Sequence, residues 1–313
     1  LYKVNPKFLS SLGFEQDRRY KVADLQIQEI ERALRRKGRK PLLFPTAGSD
    51  ATAIGISSLG GKALVSMHVE PGREGKRIIE YLQQHGVQTH AIPRKRAMAK
   101  ILILVTPNGK RTMLIAERQW GQYAPEELPL HFVGSHDVLH VHAFGLEKGF
   151  PIARTIVKAM QEAKKRGVTV SIDLADQGVV ERNRSALQEI IGKYVDIVFA
   201  NEQEARALTG KNPQEAVREI AGENKIAVVK LGPAGSLVHS QGKTHAIPAV
   251  QTRVLDTTGA GDIYAAGFLM ALLRGKSLKR AGEIASHAAA RIVGKKGIKF
   301  TRRVAAPVRK MLE

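Results

Sequence analysis

The chain of 313 residues contains no cysteine. That excludes disulfides and thiolate metal sites, and it fits a reducing compartment. No apolar run approaches the roughly 20 residues that span a bilayer, so no membrane partner is expected. Acidic residues are in short supply: 29 Asp and Glu stand against 50 Lys and Arg, a net charge of +21. There is no internal repeat and no low-complexity linker. What remains, 43% hydrophobic and 25% charged residues, is the composition of a folded chain that can bury a large core. A cytoplasmic location is expected, with the mitochondrial matrix or a plastid as the alternative.

The positive charge is clustered. Arg32, Arg35, Arg36, Lys37, Arg39 and Lys40 form one group, and Arg94, Lys95, Arg96 and Lys100 a second. Lys295, Lys296, Lys299, Arg302, Arg303, Arg309 and Lys310 form a third near the C-terminus. Such clusters suit RNA or a ribonucleoprotein, or simply a solvated basic surface.

Against this background one stretch stands out, Asp256-Thr257-Thr258-Gly259-Ala260-Gly261-Asp262, followed by the apolar run Ile263–Leu273. Small residues leave the backbone amides approachable, and a helix beginning inside the turn favours negative charge. Asp262 would project a carboxylate toward whatever those amides hold, an arrangement suited to phosphoryl transfer. The alternative is a glycine turn whose Asp262 serves only its own helix terminus.

The rest of the chain supplies a frame. Residues 1–24 read as irregular or short extended pieces. Residues 24–37 read as an amphipathic helix, 42–44 as a short strand, and 49–59 as a helix capped by Ser49 or Asp50. Ile101–Thr106 and Arg111–Ala116 are strands joined by Pro107-Asn108-Gly109-Lys110, a strong hairpin signal. From residue 137 onward strands and helices alternate, which implies a parallel sheet covered on both faces. Ligands bind beyond the carboxyl ends of such strands. His140 and His142, with His131 and His136 nearby, read as core or strand-end histidines, since no carboxylates or thiols complete a metal set. Trp120 and Tyr123 near Arg118 read as lid packing or as a stacking platform for a ring.

Five segments together resemble the ribokinase-like (PfkB) carbohydrate and nucleoside kinases. They are the 256–262 motif with Ala265-Ala266-Gly267-Phe268, Asn201-x-x-Glu204 after a strand, Lys230-Leu231-Gly232-Pro233-Ala234-Gly235, Thr52-Ala53-Ile54-Gly55 through Gly61, and Val105 to Met113. The last looks like the adenosine-kinase-like branch. The resemblance implies an α/β fold, an open αβα sandwich with a small antiparallel β lid. All 313 residues would form a single domain, with roughly 1–24, 40–47 and 94–119 contributing to the lid. It also implies ATP and Mg²⁺ as cofactors, a sugar or nucleoside acceptor, and a homodimer through the lid. Asp262 would be the general base, with Gly259, Ala260 and Gly261 forming the anion hole. Asn201, Lys230, Gly232, Gly235 and Thr257 would lie along the nucleotide, and Glu204 would reach the metal indirectly. Gly48, Asp50 and Asp256 would face the acceptor.

The acceptor side departs from the family pattern. Thr46, Ala47 and Ala51 stand where paired glycines and an Asn are usual, and Met98-Ala99-Lys100 replaces a small polar entry to the lid strand. The acceptor-gripping aspartate of the family lies on a first strand that would precede Leu1. Asp50 is the nearby carboxylate available to substitute, or else a helix cap. Two readings follow: a kinase with a changed acceptor, or a catalytically weak or inactive kinase fold that binds RNA.

Overall fold

The computed structural model describes the chain apart from Leu1, Asp17, 40–47, 96–98, Gly109, 117–120, 295, 296 and 298, and apart from the Arg111 side chain. The strand expected at 42–44 lies outside the described residues, as do Thr46, Ala47, Met98, Arg118 and Trp120. The chain divides into two compact units. One comprises Leu1–Pro45, His68–Ile78 and Ala91–Gln122, the other Thr46–Met67, Ile79–His90 and Tyr123–Glu313.

The smaller unit begins with β1 (Tyr2–Lys3), α1 (Pro6–Ser11), β2 (Arg19–Lys21) and α2 (Asp24–Arg36). Sequence reasoning missed α1. Its signals are local: the Asn5 side chain accepts from the Phe8 amide at 2.7 Å, and Pro6 opens the first turn, where its missing N–H costs nothing. The chain then runs through α3 (Ser49–Ser58), β3 (Leu64–Val69), α4 (Arg73–Gln84) and β4 (Gln88–Pro93). It returns with β5 (Lys100–Val105) and β6 (Arg111–Ala116). The sheet order is β1-β5-β6-β2. The hairpin β5–β6 is antiparallel as its turn requires, but β1 and β2 run parallel to their neighbours, so the sheet is mixed. Ile27, Ile30 and Leu34, spaced at the helical period, bury the inner face of α2 among Tyr2, Leu102 and Leu114.

The larger unit follows as α5 (Leu130–Val133), β7 (Val138–His142), α6 (Pro151–Lys165), β8 (Thr169–Asp173), α7 (Gln177–Arg182), α8 (Arg184–Tyr194), β9 (Ile197–Asn201), α9 (Glu202–Thr209), α10 (Pro213–Ala221), β10 (Ile226–Lys230), β11 (Ser236–Ser240), β12 (Lys243–Ile247), α11 (Ala260–Leu273), α12 (Leu278–Val293) and α13 (Arg302–Leu312). Among the described residues its main sheet has six strands in the order β12-β11-β10-β9-β8-β7. β7 to β10 are parallel, and β11 and β12 close the sheet as antiparallel strands.

The twofold alternation of strand side chains decides what each face does. Val198, Ala200, Ile172 and Val229 point into one core with α6 and α8–α10, while Ile197, Phe199 and Val228 point into a second core with α11, α12 and α13. Phe199 meets Phe268 of α11 edge to face, centroids 5.5 Å apart. α11 has no polar side from Ile263 to Ala271, because it is buried all round. Its neighbours come very close. A Cβ on Gly55 of α3 would lie 2.5 Å from Ala266 Cβ, and one on Gly267 would lie 3.0 Å from Ala285 Cα of α12.

Candidate active site

The 256–262 turn ends in Gly259, the N-cap of α11, at φ +77°, a left-handed conformation that glycine adopts without steric cost. The Ala260 amide is consumed inside the turn, donating to the Thr257 carbonyl at 3.1 Å. The amides of Gly261 and Asp262, first-turn donors of the helix, have no acceptor among the described residues. Asp256 staples the turn. Its Oδ1 accepts from the Thr258 amide and hydroxyl at 3.0 and 2.7 Å, and its Oδ2 from the Gly297 amide at 3.0 Å. Thr257 is exposed.

Asp262 is gathered with groups from several elements. The Gly48 amide lies near its carboxylate and favours the charged form. Gly48 is the N-cap of α3, at φ +63° and ψ −129°, a backbone open to glycine alone. This corrects the expectation that Ser49 or Asp50 caps that helix: no side chain does. Asp50 instead sits in the first turn, where burial lifts its carboxyl to about 6. Burial, reinforced by the charges of Asp173 and Asp50, pushes the Asp262 carboxyl up to about 7, against the pull of Lys230 and the Gly48 amide. A carboxylate tuned to neutrality matches a general base.

Lys230, at the end of β10, forms a buried ion pair with Asp173 at the end of β8, Nζ to Oδ2 2.7 Å. Burial opposes both charges, yet the surrounding charges together outweigh it: Asp173 is held below the ordinary carboxylate range, chiefly by Lys230, and Lys230 above the ordinary ammonium value, chiefly by Asp173 with Glu204 and Asp262. The ammonium also stands 3.0 Å from the position a Cβ would take on Gly261. A cation therefore lies against the turn that carries the unpaired amides. Two helix N-termini, of α3 and α11, flank the same carboxylate.

Asn201 and Glu204 close a reciprocal cap at the start of α9. Asn201 Oδ1 accepts from the Glu204 amide at 2.8 Å, and the Glu204 carboxylate accepts from the Asn201 amide at 2.8 Å and from its Nδ2 at 2.6 Å. Glu204 is 3% exposed, and its charge reaches Lys230. Gly232 and Gly235 bound a short turn at φ +59° and +93°. A Cβ on Gly235 would fall 2.0 Å from the Ile247 carbonyl oxygen, so that glycine is required by the strand beside it.

Two members of the cluster were not found by sequence reasoning. Nothing local in the sequence marks Asp173, because its partner is 57 residues away. The sequence marks His142 only as a core or strand-end histidine; its Nε2 is 3.8 Å from Asp262 Oδ1. The available signal was alternation: His142 and Asp173 are register partners at the carboxyl ends of adjacent strands and share a face.

The pfkB family carbohydrate kinase signature matches residues 45–303, most of the chain and all of this cluster. The chain belongs to that family. Among pfkB relatives, it is 27% identical over 260 residues to a 2-dehydro-3-deoxygluconokinase of Thermoproteus tenax, covering 80% of each chain. It is 28% identical over 263 residues to a 5-dehydro-2-deoxygluconokinase of Bacillus subtilis, covering 79% of this chain and 80% of the relative. Of solved structures, adenosine kinase from Sinorhizobium meliloti superposes with a TM-score of 0.86 at 28% identity, over 98% of this chain and 94% of that one. The expected α/β ribokinase-like class is thus the observed one.

Proposed function

We propose that the protein transfers the terminal phosphoryl group of ATP to an alcohol of a sugar, sugar acid or nucleoside, with Asp262 taking the proton. The observation that carries this is the position of Asp262: a carboxyl with its pKa near 7, beside unpaired helix amides and the Lys230 ammonium. The amides of Gly261 and Asp262 and the two helix N-termini stabilise charge on the moving phosphoryl group, and the reaction asks for little beyond that and alignment. Asn201, Gly232 and Gly235 are assigned to the nucleotide side, and Gly48 and Asp50 to the acceptor side. Asp256 keeps the turn in shape.

Mg²⁺ would travel on the ATP phosphates and neutralise them. Among the described residues no three His, Asp or Glu side chains group as a metal cage. Glu204, already accepting from Asn201, fits a contact through water only.

Release of ADP, measured against adenosine, D-ribose, 2-dehydro-3-deoxy-D-gluconate and 5-dehydro-2-deoxy-D-gluconate, tests the reading. At least one should support turnover, and Asp262→Asn should lower kcat by about 10²–10⁴-fold. Turnover that ignores every acceptor, or survives the substitution, overturns it.

A second reading, RNA binding, is favoured by one surface. On α12 and α13, which pack together, Lys279, Arg280, Arg291, Arg302, Arg303, Arg309 and Lys310 are all exposed. The acids on these helices and at their end are Glu283, paired with Arg280 at 3.1 Å, and Glu313.

A further inference from the structure

His142 is the polar side chain of this cluster that the chemistry above leaves without a task. It is 9% exposed, and neither ring nitrogen has a hydrogen-bond partner among the described residues. That is costly for an imidazole, since buried polar atoms normally find partners. His140, two residues earlier, differs in part: its Nδ1 meets the Ser171 hydroxyl at 3.0 Å, while its Nε2 has no partner among the described residues. Packing fixes the His142 ring. A Cβ on Gly48 would stand 3.3 Å from its Nδ1, so the N-cap glycine of α3 lies against the imidazole. The remaining spacing is informative. Nε2 to Asp262 Oδ1 is 3.8 Å, too long for a direct hydrogen bond. It is short enough for both groups to reach oxygens of one small molecule. Burial holds the ring neutral, so it offers one donor and one acceptor, the pair that a hydroxyl matches.

We propose that His142 is an acceptor-binding residue, hydrogen-bonding the acceptor oxygen next to the hydroxyl from which Asp262 takes the proton. The proposal rests on the kinase reading and adds to it the contact that selects a polyhydroxylated acceptor. It places acceptor recognition on the carboxyl end of β7, where a change in residue type shifts acceptor preference and leaves the base, the turn and the nucleotide side alone.

The test uses wild type, His142→Leu and His142→Gln, with adenosine, D-ribose, 2-dehydro-3-deoxy-D-gluconate and 5-dehydro-2-deoxy-D-gluconate as probes. For the probe that wild type phosphorylates, His142→Leu should raise the acceptor KM about 10- to 100-fold, with the ATP KM unchanged and partial recovery in His142→Gln. Separately, in protein labelled at histidine Cε1, the resonance absent from His142→Gln should move on adding that probe without nucleotide. An active wild type whose acceptor KM is unchanged in both variants overturns this inference and leaves the kinase reading standing. An inactive wild type overturns the kinase reading, and a His142 resonance that responds to none of the four probes overturns the inference as well. A response in an inactive protein supports the contact as a binding site. The resonance readout in wild type does not depend on how well the leucine variant folds.

Discussion

Asp262 answers to two opposing demands. As the proposed base it must lose its proton near neutrality, and as a buried group it is stabilised by keeping it. Its surroundings are Asp173, Lys230, Asp50, His142 and the Gly48 amide. With its pKa raised to about 7, turnover should climb through neutrality as the carboxylate forms, and a kcat/KM profile from pH 5 to 9 reads this directly. Stability has the opposite sign. The folded value exceeds the unfolded one, so ionisation costs the native state progressively from pH 4 upward until the folded value is passed. Asp262→Asn should therefore stabilise the protein at pH 8, by up to about 4 kcal/mol, with the advantage vanishing near pH 4. Urea melts at the two pH values check it. A variant less stable than wild type at pH 8 would contradict the burial account.

Asp173, the acidic half of the Asp173–Lys230 pair, obeys the reverse rule. Asp173 is depressed in the folded state, so its contribution is present above the ordinary carboxylate value and lost as pH falls through its lowered one. Lys230→Met alone strands a buried carboxylate and should cost about 3–5 kcal/mol in urea melts. Lys230→Met with Asp173→Leu should recover much of that loss while abolishing turnover. Equal losses in the single and double variants would mean that the two charges do not depend on each other.

At the scale of elements, two glycines of one turn separate structure from conformation. Gly235 has a carbonyl 2.0 Å from its would-be Cβ, whereas Gly232 has open space. Gly235→Ala should cost roughly 3 kcal/mol or more through overpacking and backbone strain. Gly232→Ala should cost about 1–2 kcal/mol from its positive φ alone. Thermal melts of the pair decide it, and equal losses would refute the packing argument. The elements themselves were legible where the signal is local. The Asn108-Gly109 turn announced the β5–β6 hairpin, and the 256–262 turn announced the start of α11. Asn5-Pro6 carried a signal for α1 that is too short to stand out in a sequence. What local pattern does not encode is partnership across the sheet. His142 shows its strand face by alternation, but the register that sets it beside Asp173 is decided by tertiary packing. The task of Asp256 was equally hidden, because the Gly297 amide it holds is 41 residues distant.

For the whole molecule the surplus of positive charge remains a physical quantity to account for. If the α12–α13 face holds RNA, log K should fall linearly with log salt, with a slope of about −0.7 per phosphate contacted on a single strand. Arg302→Ala, Arg303→Ala, Arg309→Ala and Lys310→Ala together should flatten that slope. They lie on exposed helical positions, so ADP release should be unaffected. A flat slope in the unmodified protein dismisses RNA as a partner, and the basic surface is then a matter of solvation.

The contact of α3 with α11, where Gly55 offers only a hydrogen to Ala266, bears on how the acceptor range can be remodelled. Two helices already touching through backbone and methyl groups cannot be brought nearer, and side chains added between them would pry apart the ends that carry Gly48 and Asp262. Laboratory evolution toward bulkier acceptors should therefore spare that seam and collect its beneficial changes at the carboxyl end of β7, leaving the Asp262 carboxylate where it is while the guest in front of it changes.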